Sequence, residues 1–250
     1  MGARRGRGGT AVTPTAAVKR SHDELRALAA SGAEELGWDA SAQEVIGWVQ
    51  RHFATSAVTV ACSMADAVLP ALVAEQLPGV DVLFLDTGYH FPETYVTRDE
   101  VAANLRVTIV DVLPENTVEA QDRLFGKDLF ARDAAACCAM RKVQPLRRTL
   151  AGYELWFTGV RRDEAPTRTN TPLVTWDDAN GLVKVNPVAP WTFDQLIAYS
   201  SDNFLPVNPL LSQGYPSIGC QPCTQKVAPG ADPRSGRWAG TDKTECGLHV

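Results

Sequence analysis

The chain has 250 residues, of which 45% are hydrophobic and 21% charged, and its formal net charge is −5. This length and composition suit one main domain with a substantial core. The mildly acidic balance argues against nucleic acid or a membrane surface as a partner, and no apolar run approaches the roughly 20 residues that a membrane helix needs. A local cluster of basic residues must therefore hold any anionic ligand.

The first twenty residues contain several arginines and glycines, but no acidic residue and no apolar segment of a secretory signal. We expect a disordered tail over residues 1–20, with an Arg-rich organellar transit peptide as the alternative. Six cysteines without a secretion signal favour metal, cluster or redox chemistry in a reducing compartment over a disulfide framework. We therefore expect a cytoplasmic protein.

Two helix starts follow this tail. Ser21 and Ser41 each stand three residues before a glutamate, Glu24 and Glu44, which is the pattern of a capping box. The sequence therefore predicts two N-terminal helices.

Short apolar runs then alternate with segments of helical length. Runs of this kind, rich in Val, Leu, Ile and Phe, are typical of buried parallel strands. We predict an α/β fold with a mostly parallel sheet and helices on both faces, spanning residues 21–230, and a mobile C-terminal arm over 231–250. The predicted strands lie at 57–62, 81–86, 105–112 and 154–160.

Polar residues follow these strands, at the edge where ligands bind in such sheets. Ser63 and Asp66 follow the first strand, and Gly159 follows the fourth. The loop from Ser63 to Asp66 lacks the glycines and the lysine of an ATP-hydrolysing loop, but its backbone N–H groups suit a smaller anion. Arginines in two Gly- and Pro-bearing loops complete an anion site, although such arginines are also often solvated surface. They are Arg161, Arg162, Arg168, Arg234 and Arg237.

Four cysteines form two pairs, one on a predicted helix from Ala134 to Leu150 and one in a CxxC loop. Adjacent helical cysteines point about 100° apart, which hinders joint binding of one ion but suits a [4Fe–4S] cluster, in which each cysteine binds a different iron. Arg141 and Lys142 lie one turn further on, where they balance thiolate charge. Zinc, a redox pair and buried core thiols remain the alternatives. The paired residues are Cys137, Cys138, Cys220 and Cys223.

Cys246 lies near the C-terminus, after a Gly-rich stretch, where the chain is expected to be accessible. Exposed cysteines are candidates for reaction, and His249 and Lys243 would favour its thiolate. The alternative is an incidental surface thiol. Cys62 ends the first apolar run, and we expect it to pack in the core.

Seven segments together resemble the assimilatory adenylyl-sulfate reductases, relatives of phosphoadenylyl-sulfate reductases and of PP-loop nucleotide enzymes. The resemblance covers about residues 20–250. The segments are SMADAVL, LDTGYHFPET, KDLFARDAAACCAMRKVQPL, TGVRRDEAPTR, YPSIGCQPCT, DPRSGRW and KTECGLH.

The resemblance implies a PP-loop or adenine nucleotide alpha-hydrolase-like fold, a [4Fe–4S] cluster on the four paired cysteines, and Cys246 as nucleophile. It implies reduction of adenylyl sulfate to sulfite and AMP through an enzyme S-sulfocysteine, in sulfate assimilation and cysteine biosynthesis. It also implies a separate thioredoxin as electron donor. The implied nucleotide contacts are Ser63, Asp66, Leu85 and Gly159, and the implied phosphosulfate contacts are Lys142, Arg168, Arg234 and Arg237.

Three other functions remain open at this stage. The first is the same reaction on phosphoadenylyl sulfate, which needs a further basic contact for its 3′-phosphate. The second is a non-catalytic cluster protein that senses iron or oxygen, and the third is a PP-loop ATPase that modifies RNA. The sequence also leaves open whether the protein is a homo-oligomer.

Overall fold

The computed structural model describes residues 19–240, 243 and 245–248. Within these residues no helix is both long and apolar enough to cross a membrane. The elements in chain order are α1 (His22–Leu36), α2 (Ala42–His52), β1 (Val58–Ala61), α3 (Val68–Gln76), β2 (Val80–Leu85), α4 (Pro92–Asn104), β3 (Val107–Val112), α5 (Val118–Phe125), α6 (Leu129–Arg132), α7 (Ala134–Cys138), a π-helical turn (Ala139–Val143), α8 (Gln144–Leu150), β4 (Leu155–Thr158), β5 (Val174–Asp177), β6 (Leu182–Val185) and α9 (Phe193–Asp202).

Both predicted capping boxes are present. The side chain of Ser21 accepts the N–H of Glu24, and the carboxylate of Glu24 accepts the N–H of Ser21. Ser41 and Glu44 repeat this exchange at the start of α2. Each exchange satisfies N–H groups that a helix start otherwise leaves without partners, so both N-terminal helices are confirmed.

The described strands form one sheet in the order β3-β2-β1-β4-β6-β5. Neighbouring strands are parallel except β5, which pairs with β6 in the antiparallel sense. β1 to β4 confirm the four predicted strands. β5 and β6 were not predicted, because each is short and contains a charged residue, Asp177 or Lys184, and the polar turn between them hides the apolar pattern. Gly181, with a φ of 70°, closes that turn in the left-handed region that favours glycine.

Helices cover both faces of the sheet, as predicted. Leu155 and Phe157 of β4 belong to the larger core, which includes buried residues of α1, α2, α3 and α9. Trp156, between them, points to the other face and packs with Leu146 and Leu150 of α8. This alternation is the two-residue period of a strand with both faces buried.

The predicted helix from Ala134 to Leu150 is continuous but contains a π-helical turn at Ala139–Val143. Pro145 explains the turn, because proline has no N–H to donate to the carbonyl four residues earlier and its ring clashes with that carbonyl. The wider turn directly follows Cys137 and Cys138 and carries Lys142. π-Helical turns often occur at functional sites.

Most of the predicted N-terminal tail, residues 1–18, lies outside the described residues. Arg20 is described and pairs with Glu154, which precedes β4. Its backbone N–H and its Nη2 donate to the Glu154 carboxylate at 2.6 and 2.7 Å. The chain is therefore attached to the sheet from Arg20 onward.

Candidate active site

A cavity of about 340 Å³ opens at the carboxyl ends of β1, β2 and β4. β2 and β3 lie on one side of β1, and β4 and β6 lie on the other, so the direction of strand addition reverses here. Such a reversal leaves a crevice in which α/β proteins bind ligands. Every predicted nucleotide contact lines the cavity: Ser63, Asp66, Leu85 and Gly159.

The loop after β1 is held without a glycine. Met64 adopts a φ of 58°, and its N–H donates to the thiol of Cys62 at 3.4 Å. Asn208 supports the loop from outside through the carbonyl of Met64 at 3.2 Å. One Asp66 carboxylate oxygen accepts the N–H of Val68, the first residue of α3, at 3.0 Å. Burial raises the pKa of Asp66, although this hydrogen bond and Arg161 oppose the shift.

Leu85 ends β2 beside a histidine that the sequence analysis did not single out. His90 Nε2 donates to the carbonyl of Leu85 at 2.8 Å, and its ring packs on Phe84 with centroids 5.0 Å apart. Burial lowers the pKa of His90, so the neutral ring holds this backbone end in place.

Basic side chains line the other wall of the cavity, as the sequence predicts. Arg162 is the exception among the loop arginines. Its guanidinium stacks on Trp38 at 3.6 Å and binds Asp39, away from the cavity. The lining residues are Lys142, Arg161, Arg168, Arg234 and Arg237.

Three of these cations have carboxylate partners. Arg161 pairs with Asp163 at 3.1 Å and with Glu164 at 3.5 Å. Arg168 and Arg234 both pair with Glu245, at 2.9 and 3.1 Å. The charge of these arginines is therefore largely balanced within the protein.

Lys142 and Arg237 have no carboxylate partner among the described residues. Burial disfavours the ammonium of Lys142, but the thiols of Cys220, Cys138 and Cys246 raise its pKa above the ordinary value. Arg237 Nη1 donates to the carbonyl of Ile218 at 3.3 Å. These two residues supply the uncompensated positive charge of the cavity.

The four paired cysteines line a second, smaller cavity: Cys137, Cys138, Cys220 and Cys223. Lys142 and Trp238 line both cavities and form a shared wall. The Cys220 thiol lies 3.2 Å from the hydroxyl of Thr87, and the carbonyl of Cys223 accepts the Trp238 N–H at 3.0 Å. The fold thus brings together two pairs that lie about 80 residues apart in the sequence.

The thiols of this cluster have different pKa values. Burial, with its neighbouring thiols, raises the pKa of Cys137 to about 12, and burial raises that of Cys223 to about 11. Burial also acts on Cys220, but the charge of Lys142 and the hydrogen bond from Thr87 outweigh it and lower the pKa. In the described residues no three His, Cys, Asp or Glu side chains lie close enough to hold a single metal ion.

Cys246 lines the main cavity and is half-buried. His249, the predicted partner of its thiolate, lies outside the described residues. Lys243 lies over the Trp238 ring at 5.5 Å. The thiol of Cys246 contributes to the raised pKa of Lys142, together with Cys220 and Cys138, and Lys142 lines both the cavity of Cys246 and that of the cysteine cluster.

Sequence reasoning missed several residues of the site. Cys62 packs against the core, as expected, but also lines the cavity and accepts the Met64 N–H. Gly219 leaves room for Arg237, since a Cβ there would lie 2.2 Å from Arg237 Nη2. The sequence shows an acidic residue, Glu245, next to Cys246, but it does not show which residues pair with that carboxylate, because the fold decides them.

The fold and cavity define a nucleotide-binding α/β protein of the PP-loop-like class. The chain is similar over 84% of its length, with 26% identity and a TM-score of 0.64, to a phosphoadenylyl-sulfate reductase from Candida auris in complex with phosphate, of which it covers 99%. An FMN adenylyltransferase from Candida glabrata shares only the fold, with 12% identity and a TM-score of 0.53, over 86% of this chain and 80% of that one.

Residues 55–226 match the model of the phosphoadenosine phosphosulfate reductase domain. The chain is 59% identical to an adenosine 5′-phosphosulfate reductase of Mycolicibacterium smegmatis, over 92% of this chain and 97% of the relative. It is 56% identical to one of Rhodococcus erythropolis, over 91% and 96%. The chain therefore belongs to the phosphoadenosine phosphosulfate reductase family.

Proposed function

We propose that this protein reduces adenosine 5′-phosphosulfate to sulfite and AMP in sulfate assimilation, with Cys246 as the nucleophile. The observation that carries the proposal is the single cavity that Cys246, Lys142 and Arg237 line at the carboxyl ends of the strands. The cavity is large enough for a nucleotide, and a thiol and uncompensated positive charge lie in its wall. The relatives named adenosine 5′-phosphosulfate reductase, at 59% and 56% identity, support the same substrate.

The cysteine cluster fits a [4Fe–4S] cofactor. Four thiols line one cavity, no three of the described side chains form a site for a single ion, and a cubane differs from a single ion in that each of its irons takes one thiolate. Lys142 and Arg237 lower the pKa of Cys220, so the surroundings favour an anionic group there. When bound, such a cluster adds a fixed charge beside Lys142, and we assign it no electron transfer.

The residues of the cavity perform the first half-reaction. The Cys246 thiolate attacks the sulfur of the sulfonate group, the bond from that sulfur to the phosphate oxygen breaks, and AMP leaves with the electron pair. Lys142 and Arg237 stabilise the charge that spreads onto the sulfonate and phosphate oxygens, because fixed cations need no reorganisation as the charge develops. The product is an S-sulfocysteine on Cys246.

A dithiol reductant completes the cycle, and thioredoxin is the proposed donor. One thioredoxin thiolate attacks the sulfur of Cys246, and sulfite leaves with the electron pair of the S–S bond. The second thioredoxin thiol then releases Cys246 from the mixed disulfide. Two thiols are oxidised to one disulfide, which matches the two-electron reduction to sulfite. Six unpaired thiols in the chain are consistent with a reducing compartment such as the cytoplasm.

Phosphoadenylyl sulfate is the second candidate substrate. The Candida auris relative of similar fold is a phosphoadenylyl-sulfate reductase, at 26% identity. A preference for this nucleotide requires a cation that pairs with the 3′-phosphate. The arginines that line the cavity beside Lys142 and Arg237 are largely balanced by carboxylates, which favours the nucleotide without this phosphate.

Intact mass spectrometry tests the proposal. Anaerobically purified protein is incubated with each nucleotide and no thioredoxin, then with reduced thioredoxin, and Cys246→Ser serves as the control. We expect one sulfonate adduct on Cys246 with adenosine 5′-phosphosulfate, its discharge as sulfite, and no adduct on the variant. Labelling only by the 3′-phosphorylated nucleotide would establish the second candidate. No labelling by either nucleotide would refute the catalytic assignment and favour a sensor.

A further inference from the structure

Glu245 directly precedes the nucleophile candidate and is held by three side chains. Arg168 binds both carboxylate oxygens of Glu245, with Nε donating to Oε1 at 3.0 Å and Nη2 donating to Oε2 at 2.9 Å. Arg234 Nη2 donates to Oε2 at 3.1 Å, and the Thr167 hydroxyl to Oε1 at 3.2 Å. Two charge-assisted bonds from one guanidinium fix both position and orientation.

The side chains that form this ion pair are largely buried. The Glu245 side chain is 15% exposed, and those of Arg168 and Arg234 are 11% and 13% exposed. Burial favours the neutral acid, but the arginines lower the pKa of Glu245, so its carboxylate is charged at neutral pH. Ion pairs that are this well enclosed are screened far less than surface pairs.

The same arginines are therefore less available to the substrate than their sequence context implies. Arg168 also donates through Nη1 to Glu164, so all three of its nitrogens face carboxylates. Lys142 and Arg237 have no such partner in the described part of the chain. Of the five cations that line the cavity, Arg168 and Arg234 hold Glu245, Arg161 pairs with Asp163 and Glu164, and the other two have no carboxylate partner among the described residues.

We propose that Glu245 is a positioning residue, which docks the C-terminal arm on Arg168 and Arg234 and thereby places Cys246 in the cavity. Adjacent Cα atoms are about 3.8 Å apart, so fixing the carboxylate of Glu245 restricts the thiol of the next residue. The role of this docking in turnover rests on the function proposed above. The docking itself is a property of the free protein.

Docking of Glu245 should affect the rates of the two half-reactions differently. Attack on the nucleotide needs Cys246 inside the cavity, whereas thioredoxin must reach the same sulfur from outside. Weaker docking therefore slows sulfonation and leaves the discharge of the S-sulfocysteine unchanged or faster. A general defect in folding would slow both steps.

The first experiment needs no substrate. Cys246 is alkylated with iodoacetamide in the holoprotein, the thiolate displacing iodide, and peptide mapping gives its rate in wild type, Glu245→Gln, Glu245→Asp and the control Glu34→Gln. Glu34 is exposed on α1, away from the cavity. We expect alkylation about tenfold faster in Glu245→Gln, an intermediate rate in Glu245→Asp, and the wild-type rate in the control.

Single-turnover sulfonation and thioredoxin discharge are then measured separately on the same variants. We expect sulfonation about tenfold slower in Glu245→Gln, with discharge not slowed. Arg168→Gln should accelerate alkylation less than Glu245→Gln does, because Arg234 and Thr167 still hold the carboxylate, and adding it to Glu245→Gln should give no further acceleration. Equal alkylation rates in wild type and Glu245→Gln would overturn the inference. A wild-type protein that no nucleotide sulfonates would refute the proposed function, while alkylation would still test the docking.

Discussion

Arg237 owes its position to the lack of a side chain at residue 219. A Cβ on Gly219 would lie 2.2 Å from Arg237 Nη2 and 2.4 Å from its Cζ. Real Cβ contacts essentially never fall below 3.0 Å, so Gly219→Ala must push the guanidinium away by about 0.8 Å or more. The backbone at Gly219 lies outside the left-handed region, so alanine adds no backbone strain there.

We expect this variant to lose activity while keeping its stability. Arg237 is the far end of a flexible side chain and can yield, so the free energy of unfolding should change by less than about 1 kcal/mol. A misplacement of about 1 Å in a group that stabilises a transition state can cost on the order of 100-fold in rate. Single-turnover sulfonation of Cys246 should therefore be about 100-fold slower.

Two reference variants make this prediction sharp. Gly236→Ala would place a Cβ 2.2 Å from the backbone carbonyl oxygen of Gln225, which cannot yield, so it should lower stability measurably in urea unfolding. Gly219→Ala should add no further loss in the Arg237→Ala background, because both act on one group. Sulfonation at the wild-type rate in Gly219→Ala, or an additive loss in the double variant, would refute this reasoning.

Three further predictions follow from the charges. Lys142→Ala should slow sulfonation at least about 100-fold and leave the visible absorbance of the cluster intact, as followed by spectroscopy and adduct mass; unchanged turnover would contradict its role. Glu154→Ala should lower the free energy of unfolding, measured by urea titration, by about 2 kcal/mol, because it leaves the Arg20 guanidinium without its partner. The control Glu35→Ala removes one side of an exposed ion pair and should lower it by less than about 1 kcal/mol. The pKa of Glu245 is lowered from 4.5, so the stability that wild type has over Glu245→Gln should be constant above about pH 4.5 and disappear as the pH falls through the lower, folded pKa. A stability difference that grows on acidification would oppose the last prediction.

Local patterns determined much of the fold. The capping boxes at Ser21 and Ser41 involve residues three apart, and the buried strands are continuous apolar runs, so both are readable along the chain. β5 and β6 were missed because each short strand contains a charged residue and a polar turn joins them, so no continuous apolar run marks either one. The π-helical turn required knowing how the chain absorbs Pro145 within a helix.

By itself, the sequence determined the composition of the candidate site: two cysteine pairs, a lone C-terminal cysteine, and a set of basic residues after the strands. Only the tertiary structure decided which of the described cations pair with carboxylates and which do not. Glu245 meets Arg168 from 77 residues away, and Gly219 makes room for Arg237. These choices depend on how closely segments that are remote along the chain approach one another. No local pattern of residues encodes such distances, because they arise only when the sheet and its loops pack together.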